Sequence, residues 1–164
     1  MIELMVGIVV MAILVALAMP SFQIMLRNSE VRAAAQSITN GLQRARAEAV
    51  ARNANVQFVL GTGSSWTVDY VIKPVATDPP IDSRLSSEGS THVTVTALAQ
   101  DLATPATSVI FNSLGQVVPN VPWLAQVDLT ADGASQNLRV EIGPGGNAKM
   151  CEPDLPAGSS PRAC

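Results

Sequence analysis

From Leu4 to Leu26 the chain carries no charged side chain. Most of these residues are Val, Ile, Leu, Met or Ala. As a helix rising about 1.5 Å per residue, the stretch can cross a hydrocarbon core roughly 30 Å thick. Two residues depart from a plain anchor: Glu3 at the outer edge and Pro20 near the far end. A carboxylate costs roughly 2.5–3.5 kcal/mol at a bilayer centre on insertion scales, and much less at the interface. Pro20 has no N–H for the carbonyl of Ala16 and its ring crowds that carbonyl, so a kink or locally opened turn is expected there. A cleaved secretory signal opens on a basic region. Here Glu3 precedes the apolar run and the helical pattern continues past it, which fits a retained membrane helix better.

The helix continues to Asn53 with a different character. Val31, Ala35, Ile38, Leu42, Ala45 and Ala49 recur at spacings of four and three, an apolar stripe suited to packing on a sheet. Arg32, Gln36, Gln43, Arg46 and Glu48 lie off it. Gly41 costs about 1 kcal/mol relative to Ala in a helix and is expected to mark a close contact. Asn53 and Asn55 end the helix, and the period then changes to two. Strands are expected over 55–60, 66–72, 91–98, 109–111, 125–130 and 137–142, with a short last one ending near Cys151. Gln116–Val118 follows a turn at 113–115. Lys73–Gly89 reads as a loop, Pro119–Pro122 breaks the chain, and the tail from Glu152 to Cys164 has three prolines and no periodicity. Trp66, Tyr70 and Phe111 read as sheet core, Trp123 as partly exposed, and His92 as an ordinary strand residue.

The 48% hydrophobic fraction and mean hydropathy of +0.28 mix two regimes: residues 1–26 are membrane-like and the remainder is ordinary. Arg27, Arg32, Arg44, Arg46 and Arg52 make up half of the ten basic residues. Beyond residue 53 there are five basic residues against ten acidic ones. That acidic balance disfavours a general grip on a phosphate backbone. The helix arginines read as a solvated face, with Arg27 and Arg32 suited to a membrane boundary. Cys151 and Cys164 are the two cysteines. The simple reading is one disulfide closing a short terminal loop, which implies an oxidising compartment; the alternative is two free thiols. A metal site would want more ligands at close spacing. No nucleophile–base set forms around His92, and the glycine clusters lack a Walker lysine. No enzyme, cofactor, metal or small-molecule substrate is read from these residues.

The segment Ile2 to Val6, with the apolar run behind it, resembles the type IV pilin N-terminal motif FTLIE. Leu42 to Asn53 resembles the helix end of the FimT/FimU/GspH class of minor pilins and pseudopilins. Ile110 to Gly115 resembles its mid-domain strand and turn, and Gly146 to Pro153 with the closing Pro161 to Cys164 resembles its ending. The resemblance implies an α+β, type IV pilin-like fold: a long N-terminal helix, its first half membrane-embedded, packed on an antiparallel β-sheet head with a disulfide-closed C-terminal loop. Its parts are residues 1–26 (transmembrane or filament-core half), 27–53 (amphipathic half on the head) and 54–164 (globular head).

The same resemblance implies a minor pilin of a type IV pilus, in a tip or priming complex, held in a bacterial inner membrane with its head in the periplasm until assembly. Its partners would be other pilins. It implies that Glu3 meets the N-terminal amine of a neighbouring subunit, and that the region of Pro20 loses helical order in a filament. A prepilin leader and Phe-Thr-Leu would precede Ile2; Met1 stands where the Leu would be, so a truncated or misassigned start is expected. Some members of the class bind DNA in natural transformation through a Gly-Arg-x-Arg motif. The matching positions are Gly146, Asn147, Ala148 and Lys149, which leaves Lys149 and Arg162 as the candidate DNA contacts and a DNA receptor as the alternative function. A type II secretion pseudopilin is the third.

Overall fold

The computed structural model describes residues 2–119 and 122–164; the side chains of residues 16–18 and 20 lie outside that description. The helix α1 spans Ile2–Arg52. Its helical assignment is continuous across position 20, and the expected role of the Pro20 ring lies outside the described residues.

All six stripe residues of α1 are buried, none more than 1% exposed. Arg32, Gln36, Gln43 and Arg46 are exposed and Glu48 is half-buried. The stripe is wider than the spacing suggests, since Ala34, Ser37 and Gly41 are buried beside it. The helix ends one residue before the expected position. Asn53 adopts φ 49°, its N–H donates to the carbonyl of Val50 at 3.3 Å, and the Ala54 N–H donates to that of Ala49 at 3.2 Å. This pair of bonds is a Schellman closure, and Asn tolerates the left-handed conformation it needs.

Eight strands follow: β1 (Val56–Leu60), β2 (Trp66–Tyr70), β3 (Asp82–Arg84), β4 (Val93–Ala99), β5 (Ser108–Phe111), β6 (Leu124–Ala131), β7 (Leu138–Ile142) and β8 (Ala148–Cys151). They form two four-stranded sheets rather than one, in the orders β3-β2-β1-β5 and β4-β6-β7-β8. Every neighbouring pair is antiparallel. Period-two alternation identifies strands but not which sheet each joins, because both sheets present one apolar face to the same helix. Val56, Phe58 and Leu60 face inward from β1, and Leu138, Val140 and Ile142 from β7.

Three local expectations are corrected. The Lys73–Gly89 loop contains β3, a short strand paired with β2 through Trp66–Arg84, Thr67–Ser83 and Val68–Asp82; its sequence has no apolar alternation because it is a solvated edge. Of Gln116–Val118, Val117 makes only an isolated bridge to Phe111. His92 is not a strand residue but lies in the turn before β4. The break expected at Pro119–Pro122 includes residues 120 and 121, outside the described residues.

Trp66 and Phe111 are buried, while Tyr70 and Trp123 are half-buried. The Trp66 indole N–H donates to Ser37 Oγ at 2.8 Å, and its ring lies 5.9 Å from that of Phe58. Gly41 faces this pair: a Cβ there would stand 2.8 Å from Phe58 and 2.9 Å from Trp66. Gly41→Ala would gain about 1 kcal/mol in helix propensity but overpack two ring systems held by other contacts, at a cost of about 1–3 kcal/mol. We expect a net fall of a few degrees in the thermal midpoint of the detergent-solubilised chain. A raised midpoint would show that the rings yield freely.

Candidate assembly surface

Every described side chain from Ile2 to Leu26 is exposed, Ile2 at 80% and Phe22 at 61%. This half of α1 projects about 37 Å at 1.5 Å per residue and none of it joins the buried core. An apolar surface of that extent on an isolated chain marks an interaction site. Among the described residues no helix is long and apolar enough to cross a membrane; the stretch, as described, is divided at residues 16–18 and 20. Glu3 is exposed in the first turn, and no ion-pair partner for it occurs among the described residues.

The helix arginines are engaged with the protein itself. Arg27 pairs with Glu30 at 3.5 Å and Arg44 with Glu48 at 3.0 Å. Arg52 pairs with Glu48, donates to the Tyr70 hydroxyl and lies over the Tyr70 ring. Hydrogen bonding from Arg52 holds the Glu48 carboxyl below its usual range, with the Arg44 charge adding to it. The Thr104 hydroxyl, followed by the Thr104 and Ala103 N–H groups, lowers that of Asp101.

Arg46 has a role that its exposure on the helix did not announce. Its Nε donates to the carbonyl of Gly115 at 3.0 Å. That same carbonyl oxygen stands 2.0 Å from where a Cβ on Gly146 would be, and Gly146 has φ +77°. The position therefore accepts glycine alone, for both conformation and space. The Val117 N–H donates to the carbonyl of Pro144 at 3.0 Å. The helix end, the mid-domain turn and the C-terminal turn thus meet at one point, although Arg46, Gly115 and Gly146 lie far apart in sequence. Only their common resemblance to one family linked them beforehand.

The tail closes against β8. Cys151 and Cys164 form a disulfide with a Cα–Cα distance of 5.0 Å. The Glu152 N–H donates to the Arg162 carbonyl at 2.7 Å, and Glu152 bridges Ala163 in parallel. Lys149 is exposed, lies opposite Glu141 in the β7–β8 register, and donates to the Ala163 carbonyl at 3.3 Å. Arg162 pairs with Glu152 at 3.1 Å. The structure brings Lys149 and Arg162 to the same tail, each beside an acidic residue; Glu3 lies at the other end of the molecule. Glu141 approaches the two cysteine sulfurs, but these are bonded to each other and offer no thiolate for a metal.

The sequence profile of the family described as Type II transport protein GspH matches residues 34–146. No curated protein matches by sequence. Among solved structures, the type IV minor pilin FimU of Pseudomonas aeruginosa is 19% identical, with a TM-score of 0.55 over 82% of this chain and 95% of that one. The minor pseudopilin EpsH from the type 2 secretion system of Vibrio cholerae is 16% identical, with a TM-score of 0.54 over 77% and 99%. E. coli GspH is 13% identical, with a TM-score of 0.51 over 76% and 89%. At these identities the likeness is one of fold.

The disulfide closes a loop with a sequence separation of 13, and such a closure contributes about 3 kcal/mol in the chain-entropy model. Reduction, or Cys151→Ser with Cys164→Ser, is expected to lower the unfolding midpoint and expose residues 152–164 to limited proteolysis. A tail that stayed resistant after reduction would mean that β8 pairing alone holds it.

Proposed function

Because the chain belongs to the GspH family, a class of minor pilins and pseudopilins, we propose that it is a minor pilin of a type IV pilus, acting in a tip or priming complex. Membership implies association with other pilin-like subunits. In this reading residues 4–26 lie in the inner membrane before assembly, with the head in the periplasm, and later form part of a filament core at the cell surface. The observation that carries it is the projecting apolar half of α1, whose described side chains are exposed and take no part in the buried core. Such a surface needs two successive coverings, lipid first and neighbouring helices second. Glu3 then serves registration, since a buried charge pair favours one alignment over others. Pro20 eases local loss of helical order by removing one backbone hydrogen bond.

Glu3→Ala is expected to leave the thermal midpoint of the head unchanged and to reduce incorporation into filaments, read by immunoblot of sheared surface fractions. Normal incorporation of the variant would remove Glu3 from assembly. The secretion alternative is separated in the native host by deletion of the chain: loss of surface pili supports the pilus reading, and loss of secreted enzymes with pili intact replaces it.

A DNA-receptor role would rest on Lys149 and Arg162. Their acidic neighbours, Glu141 and Glu152, work against it by competing with phosphate. We expect no gel shift of short duplex DNA by the chain at low salt. A salt-sensitive shift that Lys149→Ala abolishes would instead establish DNA binding.

A further inference from the structure

Where α1 leaves the head, a recess of about 660 Å³ opens between the helix and two head loops. Ile24, Leu26, Arg27 and Glu30 line it from α1, and His92 and Asp132 from the head. We propose that this recess binds the phosphoethanolamine headgroup of a membrane phospholipid. The inference rests on the membrane reading above and adds a lipid preference to it.

Position is the first argument. Arg27 is the first charge after the uncharged stretch that ends at Leu26, so with that stretch in a bilayer the recess lies level with the headgroups. Its volume falls within the range of small-molecule sites. Ile24 and Leu26 remain 42% and 48% exposed and continue the lipid-facing surface of the helix into the recess, where the first carbons of the acyl chains would run.

Charge is the second. Arg27 meets Glu30 at 3.5 Å, and Glu30 also meets His92 Nδ1 at 3.0 Å. A guanidinium has five N–H groups, so this one contact leaves Arg27 donors for a phosphate. Asp132 is exposed and has no ion-pair partner among the described residues. The lining sets two carboxylates, Glu30 and Asp132, against one guanidinium, Arg27. An anionic headgroup is disfavoured there, and a zwitterion is matched at both ends: its phosphate on Arg27, its ammonium on Asp132. A primary ammonium brings three N–H donors to the carboxylate, whereas choline brings none.

Preorganisation is the third. Two hydrogen bonds clamp the turn that carries Asp132 to the helix: Asn28 Nδ2 donates to Ser135 Oγ at 2.9 Å, and the Ser135 N–H donates to Asn28 Oδ1 at 2.9 Å. The Ala134 N–H closes the turn on the Ala131 carbonyl at 3.0 Å. His92 is steadied by Glu30 and by the Thr91 hydroxyl at 3.1 Å. The two charges that would grip the headgroup are thus set on two elements fixed to each other.

The test places the full chain in nanodiscs of phosphatidylcholine containing equal parts of phosphatidylethanolamine and phosphatidylglycerol. Lipids that remain with the protein are counted by native mass spectrometry. We expect about fivefold enrichment of phosphatidylethanolamine over both others, the scale of one partly exposed ion pair. Asp132→Asn and Arg27→Gln should each abolish it while leaving the thermal midpoint in place. Equal retention of the three lipids, a preference for phosphatidylglycerol, or enrichment that survives both substitutions would overturn the proposal. Displacement of the bound lipid by soluble phosphoethanolamine at matched concentration would assign the site to a free amine phosphate and overturn the lipid assignment. Flotation with vesicles separates the two readings: a chain that floats without enrichment loses only this inference, and a chain that does not float with any vesicle loses the membrane reading as well.

Discussion

Two sheets share one face of one helix, and the rest of the molecule follows from that arrangement. Neither sheet could bury its apolar side alone, and the helix stripe would be solvated without both. Small residues on the stripe, Ala34, Ala35, Ala45, Ala49 and Gly41, let the backbones approach closely. The sheets supply the bulk instead, with Phe58, Trp66 and Phe111 from one and Leu124, Leu129 and Ile142 from the other. Fully burying a side chain of that size contributes roughly 1.5–3 kcal/mol. The price is close tolerance, which is why a single methyl at Gly41 has nowhere to go.

That packing also divides the helix into two parts with opposite needs. Below residue 27 no sheet covers it, and its described apolar side chains are exposed. Above residue 30 the head covers one face, and the other is mostly polar, with Ala47, Val50 and Ala51 exposed among its polar groups. At the boundary, charged residues of the helix meet turns of the head, held by Asn28 and Ser135. The folding core and the exposed apolar surface are thus two stretches of one helix. Membership of the family implies association with other pilin-like subunits.

The polar anchors of the head serve the same end. Arg46 bonds the Gly115 turn, Gly146 fits against that turn, and the disulfide ties the tail to the end of β8. An uncovered strand edge is a template for unintended pairing. At the end of β8 the Glu152–Ala163 bridge occupies part of that edge.

Much of this was readable in the residues. The uncharged stretch, the six-residue stripe, the role of Gly41, seven of the eight strands and the cysteine pair each leave a local signature: a period, a charge gap, a glycine within a helix. The family resemblance likewise named the segments around Arg46, Gly115 and Gly146. What only the tertiary structure decided is which distant pieces meet. The sorting of strands into two sheets depends on which edge pairs with which, and alternation is the same in either. The short strand β3 has no apolar alternation because it is a solvated edge with no face in the core. The contact of Arg46 with Gly115, and the meeting of Arg27 and Glu30 with His92 and Asp132, join residues tens to about a hundred positions apart. Local chemistry fixes period and turn along the chain; long-range contacts depend on the closure of the whole head around its helix, and no single stretch encodes that.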